Sequence, residues 1–78
     1  SLIERPEIQK LIGQNVRAFR EERGWSQEQL AFEAGLHRTY VSGIERGVRN
    51  PTATVIEQLA ITLKVKPSAL FANWQSPE

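Results

Sequence analysis

Cysteine and aspartate are both absent from the 78 residues, so every acid in the chain is one of nine glutamates. Without thiols there is neither a disulfide staple nor a thiolate metal site. With a single histidine and no aspartate, a metal-binding or catalytic cluster has few donors to draw on. No apolar run approaches the roughly 20 residues that cross a bilayer. The start, "SLIERPEIQK", lacks the cationic segment and apolar stretch of a signal peptide. These absences point to a cytoplasmic protein with no membrane partner, no metal and no cofactor. Neither sign of charge dominates: the net charge is +1, so a polyanionic partner would have to be recognised through how charge is distributed. No segment alternates long enough to suggest a strand, and there is no internal repeat or low-complexity tract.

What is present is 40% apolar and 24% charged, the composition of a soluble globular chain. The length fits one domain spanning residues 1–78, close to the size at which a lone core is only marginally stable. The apolar spacing predicts helices throughout. "EIQKLIGQNVRAFREERG" places Ile8, Leu11, Ile12, Val16 and Phe19 three and four apart, up to a stop at Gly24. In "WSQEQLAFEAG", Ser26 is an N-cap, Gln29 can close a capping box, and Leu30, Ala31 and Ala34 face inward until Gly35. A third short helix has Leu36, Tyr40 or Val41, and Ile44 as its apolar positions and ends at Gly47. "VRNP" breaks the pattern. Thr52 then caps a helix with Val55, Ile56, Leu59, Ala60 and Leu63 on one stripe, and Pro67 opens a fifth segment with Leu70, Phe71 and Trp74. The fold class is all-α.

Two short helices joined by a tight glycine-containing turn form a helix-turn-helix, here over about residues 26–46, whose second helix can enter the DNA major groove. With Val41 and Ile44 inward, the outward positions are Arg38, Thr39 and Ser42, with Arg46 further along. Arg38 can bond guanine O6 and N7 together, while the hydroxyls of Thr39 and Ser42 pair with almost any base. These three are the expected base contacts. Gly43, having no side chain, is expected to let the helix approach DNA closely. Gln27, beside a partly positive helix N-terminus, is placed to clamp a phosphate. His37 at the next N-cap, the Tyr40 hydroxyl, Arg46, Arg49 and Asn50 are the other expected backbone contacts. Residues 35–51 hold three arginines against one glutamate, the asymmetry missing from the whole chain. Trp25 is expected to plug the core.

One helix reading about four base pairs is a poor genomic address, whereas two copies related by a two-fold axis read a palindrome. Ile61, Val65, Leu70, Phe71 and Trp74 exceed what a small core needs and are the expected homodimer interface, within a dimerisation region of about residues 61–74. Trp74 is also compatible with a core position or a free tail.

"SQEQLAFEAGLHRTYVSGIERG" with the following "NPT" resembles the phage repressor and Cro-like (Xre) family of regulators over nearly the whole chain. Within that family, "HRTYVSGIERGVRNPT" is most similar to the controller proteins of restriction-modification systems. The resemblance implies a five-helix lambda-repressor-like domain that dimerises through helix five. It also implies a phosphate-contacting role for Gln27 and a structural ion pair between Arg20 on helix one and Glu45. The implied function is a non-enzymatic transcriptional regulator that occupies a double-stranded DNA operator. It would repress by exclusion or activate by contacting RNA polymerase. Two other functions suit the same fold, an antitoxin that represses its own operon and a helical module for protein partners alone. Against the second stand Gln27, Arg38, Thr39, Ser42, Arg46 and Arg49, because a protein interface favours apolar and aromatic residues.

Overall fold

The computed structural model describes residues 7–76; the remaining ends of the expected domain lie outside them. Four α-helices follow one another: α1 (Glu7–Glu22), α2 (Gln27–Ala34), α3 (Arg38–Glu45) and α4 (Ala53–Leu63). The expected fifth helix is a short 3-10 turn, Pro67–Phe71. Pro67 pre-sets its start, but Ala72 is already extended, so the segment never acquires the turns of an α-helix. No strand occurs among the described residues.

Local chemistry sets most boundaries. Ser26 Oγ accepts from the Gln29 amide at 3.0 Å, and Thr52 Oγ1 accepts from the Val55 amide at 3.3 Å, each satisfying one orphan donor of a helix start. The capping box at α2 is half formed, because the Gln29 side chain turns to Glu33 Oε2 at 2.7 Å. At the end of α2, Gly35 takes φ +70° and Leu36 N–H returns to Ala31 C=O at 2.8 Å, a left-handed exit that glycine makes without strain. Lys64 makes the same exit from α4 at φ 59°, with nothing in its residue type to announce it.

The core draws on every element: Ile12 and Val16 from α1, Leu30, Ala31 and Ala34 from α2, Val41 and Ile44 from α3, Leu59, Ala60 and Leu63 from α4, and Leu70. Leu70 corrects the expected dimer interface, since at 0% exposure it has no surface left to give to a second chain. Asn15 explains its position. The Asn15 amide donates to the backbone oxygens of Leu70 and Ala72, at 2.9 and 3.0 Å, and so draws the 3-10 turn onto α1 with the Leu70 side chain inside. Val65 is half-buried against the core, whereas Ile61, Phe71 and Trp74 stay exposed. Trp25 also packs half-buried against the core, with the Arg23 guanidinium 4.6 Å from its ring centroid.

Candidate nucleic-acid interface

The helix-turn-helix consists of α2, the three residues Gly35, Leu36 and His37, and α3. Its second helix is fixed from the inside by three devices. Val41 and Ile44 are fully buried. Glu45, at the C-terminal end of α3, receives Arg20 Nε at 2.7 Å on Oε2 and Arg20 Nη2 at 3.0 Å on Oε1. This is a fork-on-fork pair whose side chains are only 11% and 3% exposed. The remaining donors and acceptors are satisfied: Arg20 Nη1 donates to Trp25 O at 2.8 Å, and Gln27 Nε2 donates to Glu45 Oε1 at 3.0 Å. The Arg20–Glu45 pair thus ties together α1, the α1–α2 link, the start of α2 and α3. Hydrogen bonding to Glu45 raises the Arg20 pKa, outweighing the opposite effect of burial. With a raised folded-state pKa, the stability contributed by this group is complete below arginine's ordinary value. It is lost only as pH rises through the still higher folded one.

The third device gives no signal in the local pattern. A Cβ on Gly13 would run into Ile44 O and lie 2.7 Å from Glu45 O, so the backbones of α1 and α3 meet where Gly13 leaves room. A Gly→Ala change in an exposed helix normally stabilises by about 1 kcal/mol. Here the neighbours are carbonyls that cannot swing aside, and Gly13→Ala should instead cost roughly 1 to 3 kcal/mol as overpacking. Thermal unfolding checks this, and a variant that melts above the parent would rule out the close approach.

On the other side of α3 the expected reading residues are available. Arg38, Thr39 and Arg46 are exposed and Ser42 is half-buried. Among the described residues, the guanidinium groups of Arg38, Arg46 and Arg49 have no carboxylate within ion-pair distance. Arg49 and Asn50 lie exposed in the loop that follows. His37 stands at the N-cap of α3 with no side-chain capping bond, and Tyr40 is half-buried against the core. Gln27 has one amide hydrogen committed to Glu45, which leaves its second N–H beside the N-terminus of α2. The space at Gly43 expected for close approach to DNA is filled by the side chain of Arg49. Among the described residues no helix is long and apolar enough to cross a membrane, and no group of His or Glu side chains could hold a metal ion.

The chain matches a known family model, that of the HTH_3 helix-turn-helix, over residues 16–70. The chain belongs to the HTH_3 helix-turn-helix family. It is 50% identical over 65 residues to the control protein C.BamHI of Bacillus amyloliquefaciens, covering 82% of this chain and 80% of that one. Among solved structures it is similar to the restriction-modification controller protein C.AhdI from Aeromonas hydrophila, with TM-score 0.78 and 46% identity over 81% of this chain and 96% of that one. It is also similar to the controller protein C.Esp1396I, seen as a tetramer in complex with its natural 35 base-pair operator, with TM-score 0.74 and 36% identity over 82% of this chain and 84% of that one. The chain is thus an HTH_3 transcription regulator closely related to restriction-modification controllers.

Proposed function

We propose that two copies of the chain bind a palindromic DNA operator, each laying α3 in the major groove of one half-site, and control a promoter as a controller-type protein does. The observation that carries this reading is the two-sidedness of α3. Its inner side is held by Gly13, Val41, Ile44 and the Arg20–Glu45 pair, while its outer side presents Arg38, Thr39, Ser42 and Arg46. A helix so fixed delivers its donors to base edges without first having to be ordered. Arg46, at the far end of that side, is assigned to phosphates together with Arg49, Asn50, His37, Tyr40 and the second N–H of Gln27. Two reading helices about 34 Å apart would span one turn of duplex. The direct test is to select bound sites from random duplex DNA, then titrate the selected site and a scrambled duplex at two salt concentrations. Equal affinity for both duplexes, or no binding, would defeat the reading.

The pairing of subunits is assigned to the apolar surface left at the end of the chain. Ile61 is 63%, Trp74 56% and Phe71 37% exposed, and Val65 borders them from a half-buried position. Phe71→Asp should place an uncompensated charge in that contact and leave a folded monomer that binds operator weakly. Sedimentation combined with circular dichroism checks this; an unchanged dimer would move the contact elsewhere.

A further inference from the structure

Gly43 stands four residues after Thr39 and three before Arg46, so it shares their side of α3. An outward position with no side chain should be open to solvent, yet Gly43 is buried. Arg49 covers it. A Cβ on Gly43 would lie 2.5 Å from Arg49 Cγ and 3.6 Å from the Cβ and Cδ of the same side chain. The backbone enforces this placement: the amides of Val48 and Arg49 both donate to the Gly43 carbonyl, at 3.0 and 3.2 Å. The chain therefore folds back over the last turn of α3 as soon as the helix ends. The methylenes of Arg49 lie against bare helix backbone, while its guanidinium has no carboxylate partner among the described residues.

We infer that Gly43 is a positioning residue for Arg49: its missing side chain forms the seat that holds the arginine stem against the reading helix with the guanidinium directed to the DNA. Gly43 then governs operator affinity without touching DNA. The physical basis is pre-organisation. A free arginine samples many rotamers and loses that freedom when it binds a phosphate or base edge. An arginine whose stem is already packed loses less. Even one methyl at position 43 removes the seat. Gly13 differs in kind, because there the obstructing atoms are backbone, whereas at Gly43 they belong to a side chain that can leave. Alanine at 43 should therefore keep the fold and gain helix propensity, while Arg49 loses its placement.

The inference rests on the proposed DNA binding, and the experiment separates the two. Wild type, Gly43→Ala, Arg49→Ala and the double variant are melted and titrated with the duplex selected by the wild-type protein. Arg49→Ala should weaken binding about tenfold or more per half-site, the worth of a charge-assisted hydrogen bond. Gly43→Ala should weaken it by a large part of that factor while melting at or a few degrees above wild type. The double variant should bind no worse than Arg49→Ala, and the salt slope should fall by about one per half-site in all three variants. Wild-type affinity in Gly43→Ala would overturn the inference, as would fully multiplicative losses in the double variant. Loss of the fold in Gly43→Ala that Arg49→Ala does not rescue would overturn it as well. An Arg49→Ala variant that binds as wild type does would instead overturn the role of Arg49 in the proposed function.

Discussion

Glu45→Ala is expected to lower the unfolding free energy by roughly 3 to 5 kcal/mol, because it strands a buried guanidinium rather than merely removing an attraction. For a domain of this size that corresponds to a fall in Tm of more than about 10 °C. The loss extends beyond the pair, since Gln27 Nε2 gives up its acceptor and Arg20, with no partner on α3, no longer fixes that helix against α1. An internal control is present on α1. Arg17 and Glu21 form an ion pair of similar length, 3.1 Å, but with side chains 64% and 55% exposed. Glu21→Ala should therefore change stability by no more than about 0.5 kcal/mol. Thermal melts of the two variants side by side make the comparison. Were both to melt within a degree or two of the parent, the buried pair would not be what holds α3. Replacing Arg20 and Glu45 together by apolar residues should recover only part of the loss, because Trp25 O also depends on Arg20.

Arg38→Ala should cost about 1 to 3 kcal/mol per half-site, hence up to about 6 kcal/mol over a two-fold site, with relaxed preference at the base it contacts. Its guanidinium fork can satisfy both guanine acceptors at once, and no carboxylate among the described residues competes for it. Binding to scrambled duplex should weaken far less. Arg46→Ala should behave oppositely, weakening all sequences about alike and lowering the salt slope by about one for each phosphate it no longer neutralises. Both effects are read from one set of titrations at two salt concentrations. Equal losses on selected and scrambled duplexes would make Arg38 a phosphate clamp. Specificity would then fall to Thr39, Ser42 or the deformability of the DNA.

What the sequence makes legible here is what depends on near neighbours. Ser26, Gly35 and Thr52 act within four residues of themselves, so the limits of α2 and the start of α4 follow from residue type alone. Periodicity likewise puts Ile44 on the inner face of α3 and narrows its companion to Tyr40 or Val41, because the 3.6-residue repeat is a local property; the structure buries Val41 fully and Tyr40 by half. Three features escape for a common reason. Gly13 meets residues about thirty positions away, Asn15 bonds residues 55 and 57 positions away, and Gly43 is covered from the next loop. A glycine or an asparagine carries no mark of a partner outside its own helix. Leu70 and Phe71 show a different limit: adjacent apolar residues in a segment too short to establish a period look alike, and the contacts that separate them, including the Asn15 bond to the Leu70 carbonyl, come from α1. The Arg20–Glu45 pair is legible through family resemblance alone, since two charges 25 residues apart are not linked by composition or spacing.

Along α1, the residue that abuts α3 and the residue that pins the 3-10 turn are only two positions apart, Gly13 and Asn15. Two residues of helix rise about 3 Å. In the proposed pair of chains joined at that turn, one helix would then carry both the part that reads and the part that joins. Adding one base pair between the half-sites would displace them by about 3.4 Å and rotate one by about a tenth of a turn around the duplex. A rigid protein pair cannot follow that screw motion, so the DNA must untwist or bend to restore the fit, at a cost set by its own stiffness. The spacer between half-sites would then contribute to recognition through its torsional compliance, although no side chain reaches it.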